Sequence, residues 1–182
     1  FSRSAQMVGH LSETRAVLQE SLQLARESGN RWSIGLALER LGTFAQGTGN
    51  NEEAQGYLEE SLTLLREVGD RWSLSWVLHA MSQVMSACHE EQEAEQYAME
   101  AIRVAIEAGN HPSALNALVT LALIRAGQTQ NAPAMKMVRF VLAHPSSTQD
   151  AKDRAEQLRL ELESKLTSQE LDDIQKRVPA IT

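Results

Sequence analysis

Side chains able to do chemistry are few and scattered. The candidates for ligand or nucleophile are five histidines, His10, His79, His89, His111 and His144, and one cysteine, Cys88. A transition-metal site needs His, Cys or carboxylate donors paired at short spacing on one helical face or across a turn. No histidine has a His or Cys partner at that spacing, and the adjacent Cys88 and His89 point two ways. The reading is therefore no metal and no cofactor, with Cys88 a half-buried free thiol rather than a nucleophile. The pairs Glu52-Glu53, Glu59-Glu60 and Glu90-Glu91 read as solvated faces and as helix N-terminal charges favoured by the macrodipole. A catalytic carboxylate pair needs a closed, desolvated pocket, which nothing in the pattern implies. There is no Gly-rich phosphate loop ending in Lys-Ser/Thr. The chain is read as a non-enzyme.

Whatever the chain binds must then be held by a scaffold, and the scaffold is written as a repeat. "GNRWS" at 29–33 returns as "GDRWS" at 69–73 and as "GNHPS" at 109–113, a step of 40 residues both times. Residues 9–29 and 49–69 agree at ten of 21 positions, Leu18/Leu58, Glu20/Glu60 and Leu22/Leu62 among them. Each unit carries two helical patterns. Ile34, Leu38, Leu41 and Ala45 recur at steps of three and four over 31–47, as do Ala54, Tyr57, Leu58, Ser61, Leu62 and Leu65 over 51–68. That spacing places each set on one stripe of a helix. No stretch alternates long enough for a strand, and aromatic content of 4% leaves a core of Leu, Ala, Val and Met, which favours helices.

The pentapeptide is punctuation. Gly29, Gly69 and Gly109 follow apolar helices and suit the left-handed residue that closes them. Asn30, Asp70 and Asn110 come next, each able to cap a new helix, and Pro112 falls just inside one. Trp32 and Trp72 are read as wedges in the corner between helices, with ligand stacking as the alternative. Ser12 and Asn51 are the expected N-caps of the second helix of their units. A lone two-helix unit cannot bury its stripe, but stacked copies bury one another's.

Net charge of −7, with Lys and Arg scattered, provides no basic face, so nucleic acid is not an expected partner. A lone cysteine fits a reducing compartment, and no apolar run reaches the ~18 residues of a membrane span. The expected location is cytoplasmic. The first residue is Phe1 rather than Met, which reads as a piece of a longer chain.

The unit resembles the tetratricopeptide repeat. Leu38, Leu41, Gly42, Ala45, Ala54, Leu58 and Ser61 fall on that family's spacing, as do Leu78, Met81, Ser82, Met85, Ala94, Ala98 and Ala101. The fourth copy supplies Leu118, Leu121, Ala122, Ala134, Val138 and Val141, with Arg125 a departure. The resemblance implies an all-α fold, a right-handed α-solenoid of antiparallel helix pairs with C-terminal capping helices. The array covers 1–145, as a partial repeat 1–28 and repeats 29–68, 69–108 and 109–145. Capping helices follow over 146–177 and a tail over 178–182. At the front, Arg3 to Val8 read as the end of a helix and Gly9 to Ser12 as the turn after it. The C-terminal stripe is Ala151, Ala155, Leu158 and Leu162, and Thr167 with Glu170 forms a capping box.

In such arrays the first helix of each unit lines a concave groove. The resemblance places Gln6, Leu36, Glu39, Thr43, Gln46, Trp76, His79, Gln83, Ser86, Asn116, Val119 and Leu123 there. Trp76 is either a ligand anchor or a packing residue. The groove holds almost no Lys or Arg apart from Arg3, which argues against a basic clamp for a terminal carboxylate. The long unit and the wording "ALERLG…EEA…YLEESLTLLREVGDRW" also resemble the sensor arrays of bacterial signal-transduction ATPases and related transcription activators. That resemblance implies a sensing or interaction module binding a protein, a peptide or a small inducer. The alternative is a structural module that self-associates, as in a homodimer, or a general adaptor.

Overall fold

A computed structural model describes the backbone of residues 2–177 and the side chains of 10–175. The expected tail over 178–182 lies outside the described residues. Within them the chain is nine helices: α1 (Ser2–Ser28), α2 (Arg31–Gly47), α3 (Asn51–Val68), α4 (Arg71–Ala87), α5 (Glu91–Glu107), α6 (His111–Gly127), α7 (Asn131–Ala143), α8 (Gln149–Glu163) and α9 (Ser168–Arg177). They form the expected α-solenoid. Hairpins α2/α3, α4/α5 and α6/α7 stack in order, and α8/α9 closes the far end.

The stop-and-start turns are built as the sequence implies. Gly29, Gly69 and Gly109 take φ of 67°, 77° and 69°, the left-handed region. The side chains of Asn30, Asp70 and Asn110 then accept from the backbone N–H of Ser33, Ser73 and Ser113 at 3.1, 3.2 and 3.3 Å. The turns inside each unit use the same device in less suitable residues. Gly49, His89 and Thr129 stand 40 apart, with φ of 80°, 63° and 61°. The N–H groups of Asn50, Glu90 and Gln130 reach back to the carbonyls of Ala45, Met85 and Arg125 at 2.9 Å each. Those bonds close the preceding helix as a Schellman turn.

The stripes are the core. Leu38, Leu58, Leu65, Leu78, Met81, Val119 and Val138 are at most 1% exposed, so each hairpin's apolar face is covered by its neighbours. Small residues set the crossing distance. A Cβ on Gly42 would stand 2.6 Å from Cγ of the buried Leu58. At the positions 40 and 80 residues on stand Ser82 with Ala98 and Ala122 with Val138, and all four are fully buried. On α8 the expected stripe Ala151, Ala155, Leu158 and Leu162 is at most 2% exposed. The capping box forms too: Thr167 N–H donates to Glu170 at 2.9 Å and Glu170 N–H to Thr167 Oγ1 at 3.3 Å.

Four expectations are corrected. The turn at Gly9–Ser12 does not form: α1 runs through it, and Ser12 is helix interior rather than a cap. A single glycine inside a helix costs only about 1 kcal/mol, so Gly9 does not end it. The cap before α3 is Asn50, not Asn51, with its amide donating to Glu53 at 2.9 Å. Trp32 and Trp72 are not wedges, being 44% and 52% exposed. The Trp32 indole N–H donates to Asp70 at 2.6 Å, so this ring lies over the surface and ties one cap to the next. Cys88 is exposed rather than half-buried, because it follows the last residue of α4, beyond the packed stripe.

Thr129→Gly is expected to stabilise the fold by about 1 kcal/mol, since a β-branched residue leaves the left-handed region. Gly42→Ala is expected to destabilise it by about 1–3 kcal/mol through overpacking against Leu58. Urea unfolding with an unchanged m-value checks both.

Candidate ligand-binding face

Successive units touch through their first helices: α2 against α4, α4 against α6 and α6 against α8. Their second helices α1, α3 and α5 are instead spanned by long ion pairs, Arg26–Glu60 at 3.0 Å and Arg66–Glu100 at 3.1 Å. Close contact on one side and bridging on the other make the α2/α4/α6/α8 side the inner face of the curve.

Along that face Glu39, Gln46, Trp76 and Gln83 are half-buried, while Thr43 and Leu123 are exposed. Gln6 lies on α1, and its side chain is outside the described residues. Desolvation raises the pKa of Glu39, against a hydrogen bond donated by Thr43 at 3.1 Å. His79 and Asn116 are buried, at 7% and 5% exposure. Both are consumed inside the array. The Asn116 amide donates to the Pro112 carbonyl at 2.9 Å and to Thr148 Oγ1 at 3.2 Å. His79 Nε2 lies 3.1 Å from Thr120 Oγ1, and the His79 ring meets Trp76 edge-on with centroids 6.4 Å apart.

Thr120 is the hub of a line that the sequence reading missed. Arg154 of α8 donates to Thr120 Oγ1 at 3.0 Å, so α4, α6 and α8 are joined across the inner face by His79, Thr120 and Arg154. The expectation of a groove nearly free of cations is corrected at this end. Arg154 is 25% exposed at its side chain, and its nearest carboxylate is Asp150 at 3.9 Å, itself 74% exposed. Burial lowers the Arg154 pKa, with Asp150 opposing. Burial, with Arg154 adding to it, pushes His79 down to about 3, so the imidazole stays neutral. Arg154 could have been found from its cap: it sits six residues after Thr148, as Trp76 and Asn116 sit six after Asp70 and Asn110.

Among known proteins, the tetratricopeptide repeat family model matches residues 33–107, which run from α2 to the end of α5. The model of anaphase-promoting complex subunit 5 matches residues 2–48, covering α1 and α2. No curated protein matches the chain. Two of the crystal structures that resemble it are of one protein. One is a kinesin-light-chain-type protein of Podosopora anserina with nearly identical TPR-like repeats, at TM-score 0.66 and 18% identity over 97% of this chain and 89% of that one. The other is a single-substitution variant of the same protein, at TM-score 0.66 and 17% identity over 97% and 88%. Residues 33–107 thus match the tetratricopeptide repeat, and the fold of the chain is that of a TPR-like array. No described helix is long and apolar enough to cross a membrane.

A histidine held neutral in the fold but free to protonate when unfolded makes stability fall with pH. The loss begins below the free-imidazole range near 6.5 and continues toward the folded value of about 3. Its slope approaches about 1.4 kcal/mol per pH unit. Urea titrations between pH 7 and 4 are expected to show this slope, and His79→Gln, which keeps a partner for Thr120, to remove it.

Proposed function

We propose that the chain is a non-catalytic interaction module holding an extended peptide segment along the inner face of α2, α4, α6 and α8. Trp76 anchors an apolar side chain of the segment, and Arg154 receives a carboxylate. Leu123, Gln83, Thr43, Gln46 and Glu39 line the remainder of the path, with Glu39 marking the opposite, acidic end. His79 and Asn116 act from beneath, holding Trp76 and Thr120 in place. The observation that carries this reading is Arg154: a guanidinium taken partly out of water whose one carboxylate partner, Asp150, stands 3.9 Å away and is itself largely solvated. A partner carboxylate there would complete a bidentate pair.

The finer reading concerns context. The 40-residue unit and its resemblance to sensor arrays support a module of a larger bacterial signalling or transcriptional regulator, cytoplasmic, responding to a partner protein or small inducer. Binding would favour one of two existing curvatures of the array. A Gly-rich phosphate loop in the coding sequence ahead of Phe1 is the expected finding; a scaffold with no ATPase would count against it. One observation favours self-association as a second reading: Leu11, Val17 and Leu24 on α1 are 43%, 64% and 59% exposed. Light scattering across a concentration range would show a dimer that Val17→Glu disperses.

Peptides selected by display against the array test the inner face. Trp76→Ala is expected to cost them about 2 kcal/mol and Arg154→Gln about tenfold in affinity, with helicity retained. Equal affinity for the wild type and both variants moves the site elsewhere.

A further inference from the structure

The outer face carries a ladder that breaks at one place. Arg26–Glu60 and Arg66–Glu100 bridge second helices one repeat apart, at residues that advance by 40. The next rung falls on Ile106 and Phe140. A second ladder, Arg31–Glu67 and Arg71–Glu107, continues to His111 and Ser147. Both polar ladders thus stop at the junction of α5 with the α6/α7 hairpin. In their place is a cleft of about 310 Å³, walled by Ile102, Ile106, Leu118 and Phe140. Its Ile106 and Phe140 are 60% and 41% exposed, and Met99, two turns before Ile106 on α5, is 46% exposed. His111 and His144 stand at one end, with ring centroids 6.2 Å apart. The Ser146 N–H donates to His144 Nδ1 at 3.1 Å, which leaves Nε2 as that ring's outward donor.

The charge around the cleft is as unusual as its lining. The chain as a whole is at −7, yet it has no Asp or Glu between Glu107 and Asp150, a stretch that includes Lys136 and Arg139, and Arg125, which pairs with Glu95. Among the described residues Lys136, one turn from Phe140, and Arg139 form no ion pair; Lys136 lines a neighbouring hollow with Glu170 and Asp173 of α9. On the α5 side Glu107 is shared by Arg71 and Arg103, which leaves one positive charge in excess beside Ile106.

We propose that this cleft is a second docking site, on the opposite face from the groove, for an acidic segment of a partner protein bearing one bulky apolar side chain. The apolar group enters between Ile106 and Phe140. Its flanking carboxylates accept from His144 Nε2 and lie against Arg103 and Lys136. An apolar pocket of this volume fits such a side chain, and the local excess of cations in an acidic protein selects the sign of what flanks it.

The array itself supplies the test variant. Ile106→Arg with Phe140→Glu writes the missing rung with the pair that the two preceding rungs use, so the fold is expected to tolerate it. The probe is a fluorescein-labelled pool of heptapeptide amides with Phe at the centre and Asp or Glu elsewhere. Titrated into the wild type, the pool is expected to raise anisotropy and to shift the NMR signals of Ile106 and Phe140. Its affinity is expected to fall at least about tenfold in I106R/F140E. A pool with central Ala, or with Lys for the acids, is expected to bind at least about tenfold more weakly. If the double variant loses its helical signal, Phe140→Ala replaces it with the same expected direction. The proposal is overturned if the acidic pool does not bind, if the variant binds it as well, or if the Lys pool binds equally. It is also overturned if the wild type forms a dimer that I106R/F140E dissolves, because the cleft then belongs to a second copy.

Discussion

The structure depends on a reversal of the chain in two residues. At Gly69 and Asp70 one helix ends in a left-handed glycine and the next begins at a side-chain cap, with nothing between. So short a link leaves little freedom in the angle between α3 and α4, and the same link stands at Gly29 and Gly109. Identical joints repeated at equal spacing generate a superhelix, whatever the residues elsewhere. Curvature follows, and with it one face where first helices meet and another where second helices are held apart. A Gly→Ala change at such a joint would strain the backbone itself, since an added Cβ at Gly69 meets no atom within 4 Å but the φ of 77° disfavours it.

Given that joint, the interior is solved by volume. Where the first full unit has Gly42 and Leu58, the next two have Ser82 with Ala98 and Ala122 with Val138, all four buried. The repeat thus carries three residue pairs of different size at equivalent positions. Polar atoms intrude where the helices come closest: Ser61 Oγ donates to the Gly35 carbonyl at 2.7 Å in a fully buried site. A hydroxyl there satisfies a carbonyl without adding bulk, which an amide or carboxylate could not do at the same spacing.

Local features were legible in the sequence, and features that depend on curvature were not. The bounds of α2 and α3, the Asn30/Asp70/Asn110 caps and the Thr167–Glu170 box follow from residues within one turn of each other. The burial of His79 and the exposure of Trp32 depend on neighbours about 40 residues away, and periodicity says which side of a helix faces in, not how deep a given position ends up. Arg154 was hidden by a change of step. Caps fall at 30, 70 and 110 but next at 148, so an even comb from Trp76 and Asn116 lands on the exposed Glu156 rather than on Arg154. The left-handed Thr129 was hidden differently: its residue type disfavours the conformation that its position imposes.

The ladder on the outer face shows how a repeat protein separates stability from specificity. Each exposed Arg–Glu rung is worth little on its own, typically below about 1 kcal/mol. Losing a rung at Ile106 and Phe140 therefore costs the fold little, while changing what the surface can bind from hydrated charge to uncovered hydrocarbon. The same economy holds at Arg154, where a unit shortened by two residues, with α7 of 13 residues against 17 in α5, places a cation on the inner face. In an array whose joints and core volumes fix the shape, recognition can be written by single departures from the repeat, and the departures are where its ligands should be sought.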